Sequence, residues 1–388
     1  MANLLRTIAV ALVAFLGATA TATAQPAPAS EWSGVVRVVT FGDLHGDYAK
    51  FIDTARDAGL IDAAGNWSGG QTHFVQLGDV VDRGPDSRKI LDHLMRLEPQ
   101  ARKAGGYLHA LIGNHEGMNV EGDLRYVSAG EYASYTDRNS ARRRNAFYDK
   151  TVVYLRAHPP TTGLPTFDAA WRAQWEAQVP LGYLEHREAW SPQGKYGRWV
   201  AGHDAIIKIN DTLYLHGGLG PLFQTAENTA MNGAVRAAIN GQPVAGFADI
   251  LTNEQGPLWY RGLALNDEAT EKANLDALLA FHHVTRIVLG HTKRAPLVFP
   301  RFDARVILTD IAVPTGAVDP HAYLIQENGA LTAVHRGQRV PLIAATHPEL
   351  CAYLARVAAL DPPGSGSPQL ATACNAPAMV PPPPLLVE

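Results

Sequence analysis

Five short polar clusters follow apolar runs and combine glycine with residues that can bind metal ions. They are Gly42-Asp43-Leu44-His45-Gly46-Asp47, Gly78-Asp79-Val80-Val81-Asp82-Arg83-Gly84, Gly113-Asn114-His115-Glu116, Leu215-His216-Gly217-Gly218 and Gly290-His291-Thr292. Carboxylate, amide and imidazole groups suit manganese, iron or zinc, and glycine lets the backbone turn sharply behind each donor. An isolated aspartate in a Gly-Asp turn is usually a turn residue or helix cap. The prediction of a metal site therefore rests on all the clusters together.

Six side chains form the predicted ligand set: Asp43, His45, Asp79, Asn114, His216 and His291. Asp43 and His45 are two residues apart, so on an extended backbone both would point to one side and share a cation. The two oxygens of Asp79 can bridge two cations, and the remaining three side chains complete the second site. Two cations about 3.5–4 Å apart can generate hydroxide from bound water and neutralise a phosphoryl oxygen.

A general acid is needed to protonate the leaving oxygen of a phosphate ester. His115 follows the ligand Asn114, and on an extended turn it would face away from that ligand. Asp82 is expected to orient the His115 imidazole and to raise its pKa. These two residues are the predicted catalytic pair.

Phosphate binding calls for fixed cationic donors, and the planar fork of arginine matches phosphate oxygens. Arg83 is brought to the site by the turn that it shares with Asp79. Arg261 is a second candidate. The run Arg142-Arg143-Arg144 is interpreted as solvated helix charge, with contact to substrate as the alternative.

The elements that must position these residues alternate between strands and helices. Apolar, β-branched runs at 35–41, 73–77 and 107–112 predict strands that end at the first three clusters. Helical spacing at 47–58 and 86–97 predicts the connecting helices. Functional residues would then follow strand ends, where open α/β sheets bind their ligands.

The second half of the chain is dominated by strand patterns. The predicted strands are 205–209, 212–215, 286–289, 306–308, 322–325 and 331–334, and the predicted helices are 229–239 and 268–282. This order indicates an α/β fold with two packed sheets and helices outside.

Residues 118–200 have a looser, polar pattern. They predict a helical or irregular insertion over the site, with one helix at 145–156. A catalytic domain at 33–345 would contain this insertion. Residues 346–388 would form a helix at 349–360 and a proline-rich, extended tail from residue 361.

The N-terminus is typical of a secretory signal peptide. Arg6 precedes an apolar run at 8–16, and Ala22-Thr23-Ala24 offers a cleavage site, so residues 1–24 are the predicted signal peptide. The alternative is a membrane anchor, but the run is shorter than the roughly 20 residues that span a bilayer. We expect export to the bacterial periplasm or outside the cell, with no stable membrane insertion after cleavage.

Cysteine use and charge add two further expectations. Cys351 and Cys374 are the two cysteines of the chain, and an even pair in an exported protein is a candidate disulfide. Two unpaired thiols are the alternative. The net charge of −4 argues against a generic nucleic-acid binder, because such proteins present a basic face.

The ordered motifs resemble the phosphoprotein phosphatase branch of the calcineurin-like metallophosphoesterase superfamily, and most closely the bacterial Shewanella-like protein phosphatases. The resemblance covers about residues 35–325 and implies a four-layer α/β/β/α sandwich. Two mixed sheets would hold two divalent or mixed-valence ions of manganese, iron or zinc at strand ends. The implied roles are Asp43, His45 and Asp79 on the first metal, Asp79, Asn114, His216 and His291 on the second, His115 and Asp82 as the acid pair, and Arg83 and Arg261 on phosphate.

The expected function is hydrolysis of phosphomonoesters, on phosphorylated Ser, Thr or Tyr side chains or on small molecules. A symmetrical dinucleoside tetraphosphate hydrolase is an alternative, although an exported protein would rarely meet that substrate. A non-enzymatic, metal-binding interaction module is a third hypothesis. The presence of His115, Asp82 and Arg83 beside the ligand set argues against it.

Overall fold

The computed structural model describes residues 29–244, 246–311, 322–362 and 365–375. The predicted signal peptide, 1–24, and the proline run at 381–384 lie outside these residues. Among the residues described, no helix combines the length and the apolar character needed to cross a membrane.

From residue 31 onward strands and helices alternate, and helices then dominate the predicted insertion at 118–200. The strands are β1 (Glu31–Trp32), β2 (Arg37–Phe41), β3 (His73–Gln76), β4 (Tyr107–Ala110), β5 (Ile206–Ile209), β6 (Thr212–Leu215), β7 (Arg286–Leu289), β8 (Phe299–Arg301), β9 (Val306–Leu308), β10 (Ala322–Glu327), β11 (Ala330–His335) and β12 (Gln338–Pro341). The helices are α1 (Tyr48–Asp57), α2 (Ser87–Lys103), α3 (Asn114–Glu121), α4 (Ala129–Ser134), α5 (Ser140–Ala157), α6 (Ala169–Gln178), α7 (Tyr183–Ala189), α8 (Lys195–Val200), α9 (Asn228–Ile239), α10 (Gly262–Leu265), α11 (Glu268–Phe281), α12 (His347–Ala358) and α13 (Ser367–Cys374).

Two mixed sheets form the centre of the described structure. One has the strand order β1-β5-β6-β7-β9-β8 and the other β12-β11-β10-β2-β3-β4. Strands β2, β3 and β4 run parallel to one another, as do β6, β7 and β9. Parallel neighbours bring their carboxyl ends to one edge. Each sheet therefore presents one edge at which residues from several strands meet.

The strands are apolar on both sides because both of their faces are covered. Val75 of β3 packs between the sheets with Tyr214 and Val288 of the opposite sheet. Its neighbour Phe74 points the other way and packs with Phe51 of α1. Successive side chains of a strand alternate between faces, so one strand supplies both an inter-sheet core and a helix-facing core. The predicted four-layer α/β/β/α arrangement is confirmed.

The insertion has a small core of its own. Helices α5 and α6 pack through Tyr148, Leu155, Trp171, Trp175 and Val179. Two members of the arginine run form ion pairs on this surface, Arg143 with Glu185 at 2.6 Å and Arg144 with Glu176 at 3.1 Å. The run was interpreted as solvated helix charge. Arg143 and Arg144 are instead half-buried and ion-paired, which gives these two residues a structural role.

Two secondary-structure predictions were wrong, one at the end of a helix and one in the C-terminal tail. Helix α2 was predicted to end at residue 97, but it continues through Pro99 to Lys103 because Leu97 and Ala101 are both buried on its inner face. The extended tail predicted from residue 361 contains helix α13. The Gly, Ser and Pro content of the tail indicated extended chain, but a short helix begins at Ser367.

The C-terminal helices are attached to the second sheet. A disulfide joins Cys351 of α12 to Cys374 of α13, as predicted. The carboxylate of Asp361, between these helices, accepts a hydrogen bond from the Ser367 hydroxyl and lies 2.9 Å from Nε2 of His335 on β11. Strand β1 lies just before the predicted domain start at residue 33 and pairs with β5.

Candidate metal centre

The predicted ligands meet where the two sheet edges face each other. Asp43 follows β2, Asp79 follows β3, Asn114 begins α3 after β4, His216 follows β6 and His291 follows β7. The side chains of Asp43 and Asp79 are each 2% exposed. Local strand patterns placed these residues at strand ends, and the facing of the two sheets brings them together.

The carboxylate of Asp79 lies between two groups of donors. Its Oδ2 is 3.8 Å from Nε2 of His45, and its Oδ1 is 3.2 Å from Nε2 of His216. Asp43 Oδ2 is 3.6 Å from the same nitrogen of His45, and Asn114 Oδ1 is 3.0 Å from that of His216. Donor atoms of Asp79, His216 and His291 all lie within 4.8 Å of one another. This arrangement fits two cations that share one aspartate.

Each histidine of the predicted ligand set is oriented by a backbone carbonyl. The bonds are His45 Nδ1 to Val81 O (3.0 Å), His216 Nδ1 to Leu77 O (2.9 Å) and His291 Nε2 to Trp259 O (3.2 Å). Since a carbonyl accepts, the bonded nitrogen must carry the proton, and the other nitrogen keeps its lone pair. Such outer hydrogen bonds fix the tautomer of metal-binding histidines. The lone pair is on Nε2 in His45 and His216 and on Nδ1 in His291.

The site also concentrates buried carboxyl groups. The carboxyl groups that lie close together are those of Asp43, Asp79, Asp82, Glu116 and Asp310. The pKa of Asp43 is raised mainly by burial and also by the negative charge of Asp310. Buried like charges are unfavourable without compensating positive charge. Bound metal cations would supply that charge, so the electrostatics agree with the donor geometry.

The backbone at the site departs from the expected extended form. His45, Asp79, Asp82, Arg83 and His291 all have left-handed backbone, with φ values from 45° to 71°. We expected His45 on an extended backbone; it lies in a left-handed turn, yet its ring still meets Asp43. Strain of this kind costs about 1–3 kcal/mol per residue and persists where surrounding contacts fix it.

The predicted acid pair is formed. Nδ1 of His115 lies 2.6 Å from Oδ2 of Asp82, whose other oxygen accepts from Nδ2 of Asn119 at 3.0 Å. Burial lowers the pKa of His115, but the charge of Asp79 and the hydrogen bond to Asp82 outweigh it, so the pKa is raised overall. The prediction of an extended turn at Asn114 was wrong, because Asn114 and His115 both lie in the first turn of α3. The helix, rather than a turn, separates their directions.

The two predicted phosphate-binding arginines lie at the rim. Arg83 is exposed, with its guanidinium 5.7 Å from the ring centre of Tyr126. Arg261 donates to the carbonyl of His291 at 2.9 Å and to Thr292 Oγ1 at 3.2 Å. Tyr126 is 42% exposed, and its ring centre lies 5.0 Å from that of His115.

Sequence reasoning missed two acidic residues of the site. Asp310 follows β9 and its carboxyl group meets that of Asp43; the apolar run before it was the same signal that identified the other strand-end residues. The carboxylate of Glu116 accepts hydrogen bonds from the backbone of Gly113, Asp79 and Val80 at 2.8–2.9 Å. It thereby joins the start of α3 to the Asp79 turn, which a local pattern does not reveal.

Comparison with known proteins agrees with this geometry. The family model for calcineurin-like phosphoesterases matches residues 36–295. The chain belongs to that family. Divalent metal ions and a hydrolytic phosphatase activity are properties of the family, and the predicted family, fold and enzyme class are thereby confirmed. The individual residue roles stay predictions.

Several relatives of this calcineurin-like phosphoesterase are similar over most of their length. Shewanella-like protein phosphatase 2 of Arabidopsis thaliana is 30% identical over 73% of this chain and 73% of its own. An uncharacterised protein of Schizosaccharomyces pombe is 29% identical over 79% of this chain and 82% of its own. The crystal structure of a cold-active protein-tyrosine phosphatase from a psychrophilic Shewanella species has a TM-score of 0.62 and 28% identity, covering 84% of this chain and 87% of that one.

Gly113 offers a direct test of the metal centre. A Cβ at this position would collide with Oδ1 and the backbone nitrogen of Asp79, whereas one at Gly117 would meet its nearest neighbour, Leu258, at 3.7 Å. We expect Gly113→Ala to displace the Asp79 carboxylate and lower bound metal at least tenfold, measured by elemental analysis after dialysis. Gly117→Ala, four residues along the same helix, is the matched control and should bind metal normally. Full metal content in Gly113→Ala would contradict the predicted role of Asp79 as a metal ligand.

Proposed function

We propose that this chain is a two-metal phosphatase that removes phosphate from phosphorylated proteins, with a preference for phosphotyrosine. The observation that carries the proposal is the position of Asp79. Its two oxygens face separate groups of donors, and the His115–Asp82 pair lies on one side of it. Two donor groups that share a carboxylate fit two cations, and a paired imidazole beside them fits proton transfer to a leaving oxygen.

The metal ions would be held by the six residues predicted from the motifs. Asp43, His45 and Asp79 would bind the first, and Asp79, Asn114, His216 and His291 the second. Metal ions in such sites act as Lewis acids toward phosphate and make water nucleophilic near neutral pH. Manganese, iron and zinc all suit this mixture of oxygen and nitrogen donors.

The protein itself would supply the proton and the orientation of substrate. Asp82 accepts from Nδ1 of His115, which keeps Nε2 directed toward Asp79 at 3.7 Å. A protonated His115 can then give its Nε2 proton to the ester oxygen as the P–O bond breaks. Arg83 and Arg261, at the rim, would bind the remaining phosphate oxygens.

The preference for phosphotyrosine is supported by Tyr126. Its partly exposed ring lies against His115 and beside Arg83. An aryl leaving group would reach this ring while its phosphate lies at the ions, and aromatic pairs contribute about 0.5–1.5 kcal/mol beyond area burial. The similar Shewanella structure is that of a protein-tyrosine phosphatase, which also supports the preference.

Metal-dependent phosphate release tests this function. Metal-stripped protein would be assayed with and without manganese on phosphotyrosine and phosphoserine peptides, p-nitrophenyl phosphate and a dinucleoside tetraphosphate. We expect manganese-dependent hydrolysis of the monoesters, fastest on phosphotyrosine, and little activity in the control variant Asp79→Asn. Hydrolysis of the dinucleotide alone would establish the tetraphosphate hydrolase instead. Inactivity on every substrate with metal bound would refute an enzymatic role.

The variant His115→Asn tests the general acid. The change removes the Nε2 proton and leaves the six proposed ligands in place, so bound metal should be retained. We expect turnover to fall by about 10²–10⁴-fold on alkyl phosphates, the usual contribution of a general acid. The fall should be smaller on p-nitrophenyl phosphate, because its leaving group needs little protonation. Equal losses on both substrates would show that His115 does not serve as the acid.

Export is also part of the proposal. The signal-peptide pattern at 1–24 predicts it, and the disulfide between Cys351 and Cys374 supports an oxidising compartment such as the bacterial periplasm or the exterior. Expression in a bacterial host with intact secretion, followed by mass spectrometry of the periplasmic fraction, should show a new N-terminus at Gln25. A chain that retains Met1 and stays in the cytoplasmic fraction would refute export.

A further inference from the structure

Two adjacent residues of the proposed site hold an unusual backbone conformation. Asp82 and Arg83 have φ values of 71° and 66°, and with Gly84 they form what we call the catalytic turn. Non-glycine residues keep this conformation where surrounding contacts fix it. The N–H of Gly84 donates to the carbonyl of His45 at 2.9 Å, which anchors one side of the turn to the metal centre. The other side faces the insertion.

Residues 126–134 of the insertion contact the catalytic turn; we call this segment the brace. The N–H of Arg83 donates to the carbonyl of Tyr126 at 2.8 Å. The hydroxyl of Ser128 donates to the carbonyl of Gly84 at 3.2 Å. The same hydroxyl oxygen accepts from the N–H of Glu131 at 3.1 Å and so caps helix α4. One side chain therefore caps the helix with one bond and contacts the turn with another.

The brace continues past the turn onto helix α2. The guanidinium of Arg88 donates to the carbonyl of Ser134 at 2.6 Å. A Cβ at Gly130 would approach Pro85 Cβ to 2.6 Å, so α4 lies directly against the chain that follows the turn. Main-chain and side-chain contacts therefore link the brace to the chain from Arg83 to the start of α2.

Glu131 is the buried acid of the brace. Its side chain is fully buried beside Asp82 and Ser87, and the backbone N–H of Asp82 donates to the Ser87 hydroxyl at 3.2 Å. Burial and the charge of Asp82 raise the pKa of Glu131 to about 8. Within the described part of the chain, neither carboxyl oxygen makes a hydrogen bond of good geometry. An uncharged carboxyl group fits this position.

Aromatic residues close the opposite side of Glu131. Nε2 of His186 lies 3.9 Å from its Oε1, and burial lowers the pKa of that imidazole to about 3. The rings of Tyr132 and Tyr135 pack against His186 at 5.5 and 4.9 Å between centres. The imidazole is therefore neutral, and Glu131 is held between an apolar wall and the backbone of Asp82.

We propose that the brace holds the catalytic turn in place, and that Glu131 is a positioning residue that sets Asp82 against His115. This inference rests on the proposed phosphatase function, because it gives the insertion a part in proton transfer. It follows that the insertion does more than cover the site. Glutamine has the shape and neutrality of the protonated carboxyl group and should replace Glu131, whereas leucine should not.

Hydrogen exchange measured by mass spectrometry on the full-length, metal-loaded protein tests the brace without using activity. In Glu131→Leu and Ser128→Ala we expect exchange in a peptide spanning 80–88 to rise about tenfold, while Glu131→Gln matches the wild type. The matched control is Glu185→Leu, which removes an insertion carboxylate bonded to Ser140 and Arg143. Unchanged exchange at 80–88 in both Glu131→Leu and Ser128→Ala would overturn the proposal.

Turnover then tests the positioning role. Glu131→Leu should lower turnover about tenfold on an alkyl phosphate, less on p-nitrophenyl phosphate, and not at all when Asp82 is already Asn. A further tenfold loss in that double variant would overturn the role of Glu131 in positioning Asp82. If Glu131→Leu does not fold, Ser128→Ala is compared instead, alone and combined with Asp82→Asn. Absence of monoester hydrolysis in the wild type would refute the proposed function. The exchange measurement would still decide whether the brace holds the catalytic turn in place.

Discussion

A cluster of buried carboxyl groups at the facing edges of two sheets is the constraint on which the rest of the structure depends. Asp43, Asp79 and Asp310 arrive from three strands, and their side chains have little access to water. Such a cluster is stable when cations and hydrogen-bond donors compensate it. The predicted ligand histidines around Asp79 would offer lone pairs to such cations, since backbone carbonyls fix the protonated nitrogen of each ring. The cations that would neutralise the buried carboxyl groups are therefore the same cations that the proposed hydrolysis requires.

The same centre is held by strained backbone and by close approach. His45 and Asp79 have left-handed backbone, and Gly113 lies so near Asp79 that a methyl group would collide with its carboxylate. Glu116 bonds to three backbone N–H groups around this contact. Pre-organisation of this kind holds donors in place before a metal binds, so the cost of ordering them falls on folding rather than on binding.

Much of the fold was predictable because its signals are local. Apolar runs predicted the strands, and the polar clusters after them predicted the candidate ligands, so Asp43, Asp79 and His216 could be placed at strand ends from sequence alone. The left-handed turn at His45 was not predictable, because contacts with Gly84 from the next cluster determine it. The course of α2 beyond Pro99 depends on burial of Ala101, which a proline signal does not show.

The site residues that were missed also depend on tertiary contacts. Glu131 lies in the loosely patterned insertion. Its proposed positioning role can be recognised only from the fold, which packs α4 against the turn after β3. Asp310 had a usable signal, since it follows a strand as the predicted ligands do. Residues that approach from separate elements to support a backbone have no common spacing in the sequence, and a structure is needed to find them.

Anomalous diffraction from crystals of the manganese-loaded protein would show directly whether Asp79 lies between two metal ions. We predict two peaks about 3.5–4 Å apart, one beside Oδ2 of Asp79 near His45 and one beside Oδ1 near His216. A single peak, or a second peak that does not contact Asp79, would contradict the account.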